Sequence, residues 1–233
     1  MKDARPDLHR RPLRVWDLPT RLFHWALVLS VGGAVLSAKI GGNAMAWHLR
    51  CGYAVLALLA FRLVWGMVGG HWSRWRHMLH GPAATWRYLR GQALPDDHFD
   101  VGHNPLGALS VLVMLTWLAV QVGSGLIADD EIATTGPLAA WVSSETSLAW
   151  TDYHEHLGQW GLYAMLGLHI GAVLFHQWYR RHQLIGAMLR GDKLAPAHLP
   201  GSRDSAATRL FALTLLAACA AAVYLLVTLT PMP

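Results

Sequence analysis

The stretch HEHLGQWGLYAMLGLHIGAVLFHQW, residues 154–178, carries four histidines, one glutamate and no lysine or arginine. Its apolar part, His156–Trp178, is long enough to cross a bilayer as a helix, which needs about 17–25 residues. Four further stretches read the same way: Leu22–Ala38, His48–Gly69, Pro105–Ile127 and Leu210–Thr230, the last free of charge from Phe211 onward. Continuous apolar runs of this length are not the short alternating segments of a transmembrane barrel. Composition agrees: 54% of the 233 residues are hydrophobic and 14% charged, against about 25% charged in a soluble domain. The class is therefore all-α, an integral membrane bundle of four helices plus a fifth transmembrane helix. Residues 1–190 form the four-helix domain with its N-terminal segment, residues 191–209 a flexible linker containing Pro196, Pro200 and Gly201, and residues 210–233 the added helix. No small-residue cleavage site follows the first apolar run, which reads as a retained helix rather than a signal peptide. Cys51 and Cys219 lie in separate spans and read as small buried side chains, with no metal-site spacing.

The net charge of +5 is a topology signal, not a nucleic-acid signal. Lys2, Arg5, Arg10, Arg11, Arg14 and Arg21 precede span one, Arg74, Arg76, Arg87 and Arg90 separate spans two and three, and Arg180, Arg181, Arg190, Lys193, Arg203 and Arg209 separate spans four and five. The opposite connections hold Lys39, with Arg50 just inside span two. The positive-inside rule then places the chain in a bacterial inner membrane with its N-terminus cytoplasmic and its C-terminus periplasmic. Between Ala128 and Tyr153 the outer connection carries Asp129, Asp130, Glu131, Glu145 and Asp152 without a basic residue. That is a solvated loop or a docking face for a basic redox protein such as a c-type cytochrome, because complementary charge speeds encounter. The twelve tryptophans fit interfacial belts, and His80–Tyr88 fits an amphipathic helix on the membrane surface.

Histidine inside hydrocarbon is read as functional, and histidines paired between helices are a common axial grip on haem iron. His24 lies near the inner end of span one and His48 near the outer end of span two. Span four begins at His154 and His156 and reaches His169 farther in. Fifteen residues from His154 to His169 correspond to roughly 22 Å along a helix and an offset of about 60°, whereas His156 is offset by about 140°. Two stacked sites follow, His48 with His154 outside and His24 with His169 inside, with His156 and His176 as alternate ligands. His176 also suits the edge of a quinone pocket. The histidines at 9, 71, 77, 80, 98, 182 and 198 read as solvated loop residues. Arg62, near the inner end of span two, either snorkels to headgroups or meets a haem propionate. Gly32, Gly33, Gly52, Gly123, Gly125, Gly161 and Gly167 allow close helix approach or a flat macrocycle against backbone. No Cys-x-x-Cys-His is present, so haem would be held without covalent attachment.

Several strings resemble the bacterial cytochrome b561 and Ni,Fe-hydrogenase b-type cytochrome group: Val15-Trp16-Asp17-Leu18-Pro19-Thr20-Arg21-Leu22-Phe23-His24-Trp25, Arg62-Leu63-Val64-Trp65-Gly66, Gly102-His103-Asn104-Pro105, and His154-Glu155 followed by Gly167-Leu168-His169. The resemblance covers roughly residues 13–190. It implies four helices holding two haem b groups, with ligands from the first, second and fourth helices at His24, His48, His154 and His169. Two departures stand out: an interval of fifteen residues on the fourth helix where fourteen is usual, which leaves His154 and His156 as rivals, and a fifth helix without histidine. The expected role is electron transfer across the membrane between a periplasmic redox partner and the quinone pool, ubiquinone or menaquinone. The alternatives are an anchor subunit of a hydrogenase or another periplasmic oxidoreductase, and a superoxide:quinone oxidoreductase. Membrane lipid and a second copy of the chain complete the expected partners. A transporter is disfavoured because the deep parts of the spans lack Asp and Glu.

Overall fold

The computed structural model describes residues 10–94, 97–181 and 183–229. The expectations for Lys2, Arg5, His9, His182 and Thr230 lie outside these residues. Among the described residues, five helices are long and apolar enough to cross a membrane: Leu18–Ile40, Gly42–Val68, Pro105–Ile127, Ser144–Tyr179 and Ala206–Leu229. In chain order the elements are β1 (Arg10–Arg14), α1 (Leu18–Ile40), α2 (Met45–Val68), α3 (Trp75–Met78), α4 (Pro82–Leu89), α5 (Pro105–Ile127), α6 (Ser144–Tyr153), α7 (Gln159–Leu174), α8 (Leu184–Arg190), β2 (Asp192–Pro196) and α9 (Ala206–Leu229). The fourth span is longer than its apolar run because α6 and α7 are joined through a π-helical turn at His154–Gly158, and a second π turn, Phe175–Tyr179, follows α7. Part of the expected outer loop is therefore helix.

Local chemistry sets the helix starts. Asp17 caps α1 by accepting from Thr20 N at 2.8 Å, with Pro19 in the first turn. Asn104 caps α5 in the same way, accepting from Gly107 N at 2.7 Å ahead of Pro105. The outward faces are apolar, with Leu29, Leu168 and Leu229 each about three-quarters exposed. A water-facing surface of that kind is rare, and a lipid-facing one is expected.

Two packed layers organise the bundle interior. Val31 of α1, Val55 of α2, Leu118 of α5 and Leu162 of α7 form one, flanked by Leu27, Leu59 and Leu166. Phe23, Leu58, Phe61 and Trp65 form the other with Ala212 of α9, and Leu215, Leu216 and Cys219 pack against it. The fifth helix is thus fastened to α1 and α2. Its start is held by Asp204, which accepts from Leu18 N at 3.2 Å, Arg14 Nη1 at 2.7 Å and Arg209 Nε at 2.9 Å.

The segment expected as a flexible linker is ordered. Strands β1 and β2 pair antiparallel from Arg10 opposite Pro196 to Arg14 opposite Asp192. Leu13, Val15, Trp16, Val101, Ala187 and Ala195 bury one another at the basic end of the bundle, joined by Trp72, Met188 and Leu199. Ser202 donates to Val15 O at 2.7 Å and accepts from Trp72 N at 3.2 Å. At Gly191, φ is 95° and an added Cβ would fall 2.6 Å from Trp16 O, so a side chain there is excluded. Proline and glycine suggested a loop. The strand partner, some 180 residues away in sequence, supplies the ladder and the apolar cover that hold it.

Candidate functional site: two stacked histidine pairs

The helices bring four histidines together as two pairs. The rings of His48 and His154 have centroids 5.9 Å apart and planes at 89°. Those of His24 and His169 are 6.5 Å apart at 50°. A metal–imidazole bond is about 2.0 Å, so two imidazoles sharing one metal ion have ring centres roughly 6.3 Å apart. Both separations match that span and exceed van der Waals stacking. Residues of the Val31–Val55–Leu118–Leu162 layer alternate along the helices with the histidines, His24 preceding Val31 on α1 and His48 preceding Val55 on α2. The apolar layer thus lies between the two pairs.

Hydrogen bonding fixes the tautomers of the outer pair. His48 Nδ1 lies 2.9 Å from Ala34 O, and His154 Nδ1 lies 2.9 Å from Gln121 O. A carbonyl oxygen only accepts, so both Nδ1 atoms carry the proton and both Nε2 atoms keep their lone pairs. Metal-bound histidines are oriented in this way. Beside them is a cavity of about 420 Å³, lined among others by Gly52, Leu118, Gly125 and Leu162, with Lys39 at its edge. That volume falls in the usual range for a cofactor pocket, about 300–1,000 Å³. A Cβ built on Gly52 meets nothing within 4 Å, so the missing side chain leaves room beside a flat ligand. These residues fit a haem, with Lys39 the cation nearest to hand for a carboxylate.

At the inner pair the fit rests on buried nitrogens without partners. His24 Nδ1 and Arg62 Nη1 are both inaccessible to solvent and make no hydrogen bond. Arg62 does not snorkel: it is 5% exposed, its guanidinium lies 4.0 Å from the Trp75 ring centre, and Nη2 reaches Met78 Sδ at 3.9 Å. An unpaired buried guanidinium is costly, and a propionate would relieve that cost.

The rivals lie elsewhere. His156 is exposed and bonded back to Asp152 O at 3.0 Å. The intervening π turn explains why His154, fifteen residues from His169, still faces the bundle. A π turn takes up one extra residue, so the two histidines are phased as if they were fourteen apart. His176 stands in the second π turn, edge-on to Phe175 at 5.6 Å. His71 and His77 stack on each other at 3.8 Å, and His98 faces His198 at 5.6 Å.

Sequence reading missed two residues. Asp17 is fully buried and accepts from Thr20 N, Trp65 Nε1 at 3.3 Å, Gly70 N at 3.0 Å and Ser73 Oγ at 2.9 Å. It ties the start of α1, and so His24, to the end of α2. The signal was present as an Asp two residues before a Pro. His103, just ahead of α5, packs on Trp16 with ring centres 4.7 Å apart. Burial, with the Arg62 and Lys193 cations nearby, pushes His103 down to about 3 and keeps it neutral. On the acidic face, Asp130 Oδ1 accepts from the N–H groups of Ile132, Ala133 and Thr134 at 2.8–2.9 Å, and Asp129 Oδ1 from Glu131 N at 2.9 Å. These two carboxylates hold the loop in shape, which leaves Glu131, Glu145 and Asp152 as the exposed acidic side chains of this connection.

The family model described as prokaryotic cytochrome b561 matches residues 15–191. Curated relatives include proteins named probable Ni/Fe-hydrogenase B-type cytochrome subunit. The one from Bradyrhizobium diazoefficiens is 24% identical, over 79% of this chain and 87% of its own length. Those from Azotobacter chroococcum and Azotobacter vinelandii are 27% and 26% identical, each over 77% of this chain and 88% of their own. No solved structure matches the chain.

Proposed function

We propose that this chain, which belongs to the prokaryotic cytochrome b561 family and is a multi-pass membrane b-type cytochrome working in electron transfer, holds two haem b groups, one gripped by His48 and His154 and the other by His24 and His169. The observation that carries the reading is the pair of histidine couples, 5.9 Å and 6.5 Å between ring centres, with an apolar layer between them. Bound haem iron supplies reversible one-electron chemistry. The chain does the rest. Ala34 and Gln121 carbonyls present His48 and His154 as Nε2 donors, the helices exclude water, and Arg62 offers a buried positive charge to a propionate at the inner site.

The basic end, with β1, β2 and the loops around α3 and α4, is proposed to face the cytoplasm, and the acidic end the periplasm. A redox protein would dock on the acidic end, and quinone would exchange electrons at the inner site. The printed names of the relatives favour a hydrogenase as that protein. The exposed Glu131, Glu145 and Asp152 favour a basic surface on it, as a c-type cytochrome would also offer. The reading is tested on the purified chain by acid-acetone extraction and the pyridine haemochrome assay, expected to give two haems per polypeptide. His48→Ala and His24→Ala should each lose one haem and keep the other. A fully loaded protein with one haem, or variants that keep both, would overturn it.

A further inference from the structure

The outer ligand is held by more than one group. His154 Nδ1 lies 2.9 Å from Gln121 O and 3.0 Å from Ser124 Oγ, and the same Ser124 Oγ lies 2.7 Å from Gln121 O. The proton assignments follow from the acceptors. The Gln121 carbonyl only accepts, so the bond from His154 requires a proton on Nδ1. With that proton in place, Ser124 accepts from His154 and gives its own proton to Gln121 O. The result is a closed triangle in which each donor has an acceptor. Ser124 is 2% exposed, so water does not compete. The other end of the segment is also anchored, because Gln121 Nε2 donates to His154 O at 3.0 Å. The ring is backed by Gly125, where an added Cβ would come 3.0 Å from His154 Cε1. The ring has one hydrogen-bonded edge and a wall of backbone beside it, and it stands at 89° to the His48 ring. The inner pair has no such hold: His24 Nδ1 is buried without a partner and the two rings meet at 50°.

We propose that Ser124 is a positioning residue of the outer haem site, fixing the rotation of the His154 ring so that the two axial imidazole planes stay perpendicular. The inference rests on His48 and His154 being the outer ligands. The plane angle matters because each imidazole donates π density into the iron d orbital perpendicular to its own plane. Parallel planes act on one d orbital and split the pair, whereas crossed planes act on both and leave them close in energy. A low-spin ferric haem with crossed planes therefore has a strongly anisotropic electron paramagnetic resonance signal. Outer-shell partners of a metal-bound histidine are worth about 10–100-fold in affinity or activity, so Ser124 is expected to affect the fit of the haem as well as its spectrum.

The test uses the full-length, haem-loaded protein in detergent. The oxidised protein should give two low-spin signals, the more anisotropic one disappearing in His48→Ala. Ser124→Ala should keep two haems by pyridine haemochrome while that signal moves to lower anisotropy or broadens. Haem should leave the outer site about tenfold more readily on challenge with apomyoglobin, and the inner signal should stay put. Ser124→Thr, which retains the hydroxyl, should restore the parent signal. If Ser124→Ala leaves both signals and the haem loss rate unchanged, the positioning role is refuted while the two-haem reading stands. If Ser124→Ala and Ser124→Thr disturb the signal alike, the effect is one of packing and the role is again refuted. If His48→Ala retains both signals, the reading beneath the inference has failed.

Discussion

Removal of the Asp17 carboxylate should cost the inner site before the outer one. Asp17→Ala deletes the acceptor of four buried donors at 2.8–3.3 Å: Thr20 N, Trp65 Nε1, Gly70 N and Ser73 Oγ. Two of these have relief. Ser73 Oγ can turn wholly to Thr20 Oγ1, 2.7 Å away, and the Trp65 bond is already long. The backbone N–H groups of Thr20 and Gly70 have no alternative, and each orphaned buried donor costs about 1–3 kcal/mol. The Thr20 N–H is also the N-cap donor of α1, so the cap is already counted and the expected loss is roughly 2–6 kcal/mol, a large part of a typical stability of about 5–15 kcal/mol. On the usual scale of about 2–4 °C per kcal/mol for a chain of this size, the melting temperature should fall by roughly 4–24 °C. The loosened joint is the start of α1, seven residues before His24, so the haem between His24 and His169 should leave first. The assay is circular dichroism melting in detergent, with haem content followed after partial heating. Asp17→Asn keeps one acceptor oxygen and should fall between parent and Ala variant. If Asp17→Ala melts with the parent and keeps both haems, Asp17 is a bystander and the hydrogen-bond argument is wrong.

Four further outcomes are expected. His154→Ala should lose the outer haem, whereas His156→Ala, which removes an exposed ring bonded to its own turn, should keep both; haemochrome stoichiometry separates the two. Asp130 is held at about 2, mainly by the Thr134 N–H and also by those of Ala133 and Ile132. A carboxylate lowered from its ordinary value near 4 stabilises above that value and loses the contribution as pH falls toward 2. Hydrogen exchange of the 129–135 loop should therefore be protected from pH 7 to about 4 and open below, and Asp130→Ala should open it at neutral pH. Glu131→Gln with Glu145→Gln should slow electron exchange with a basic donor several-fold at low salt, the difference vanishing as ionic strength rises and the screening length falls to about 8 Å. Arg62→Met should loosen the inner haem by removing the buried cation offered to a propionate, while changing the melting temperature little, since the lost contacts to Trp75 and Met78 are offset by relief of the desolvation cost of a guanidinium with a buried, unpartnered Nη1. Melting and haem retention measured together check both halves.

The sequence by itself determined what depends on composition and on position along one helix: five spans, though the fourth begins at Ser144 rather than His156, and the order of the histidines along them. A helix rises by a constant amount per residue, so His24, His48, His154 and His169 were legible as two levels from counting alone. The family, too, was carried by local strings around His24 and His169. Counting gave rotation only for an unbroken α-helix, which put His154 about 60° and His156 about 140° from His169. One π turn at His154–Gly158 changes the phase of everything before it relative to everything after, and it decides that His154 faces His48 while His156 faces out. Contacts between residues far apart in sequence were equally hidden. The pairing of Arg10–Arg14 with Asp192–Pro196 turned an apparent linker into a strand, because β-pairing depends on a partner that the segment itself does not specify. Asp17 looked like one polar residue in a motif until α2 and the 70–73 turn brought donors to it. Asp129 and Asp130 looked like free charges until the loop closed its own N–H groups around them. The bilayer writes hydrophobicity into the sequence residue by residue, so the spans could be read. Hydrogen bonds and metal grips need atoms from several segments within about 3 Å of one another, and only the tertiary structure brings those segments together.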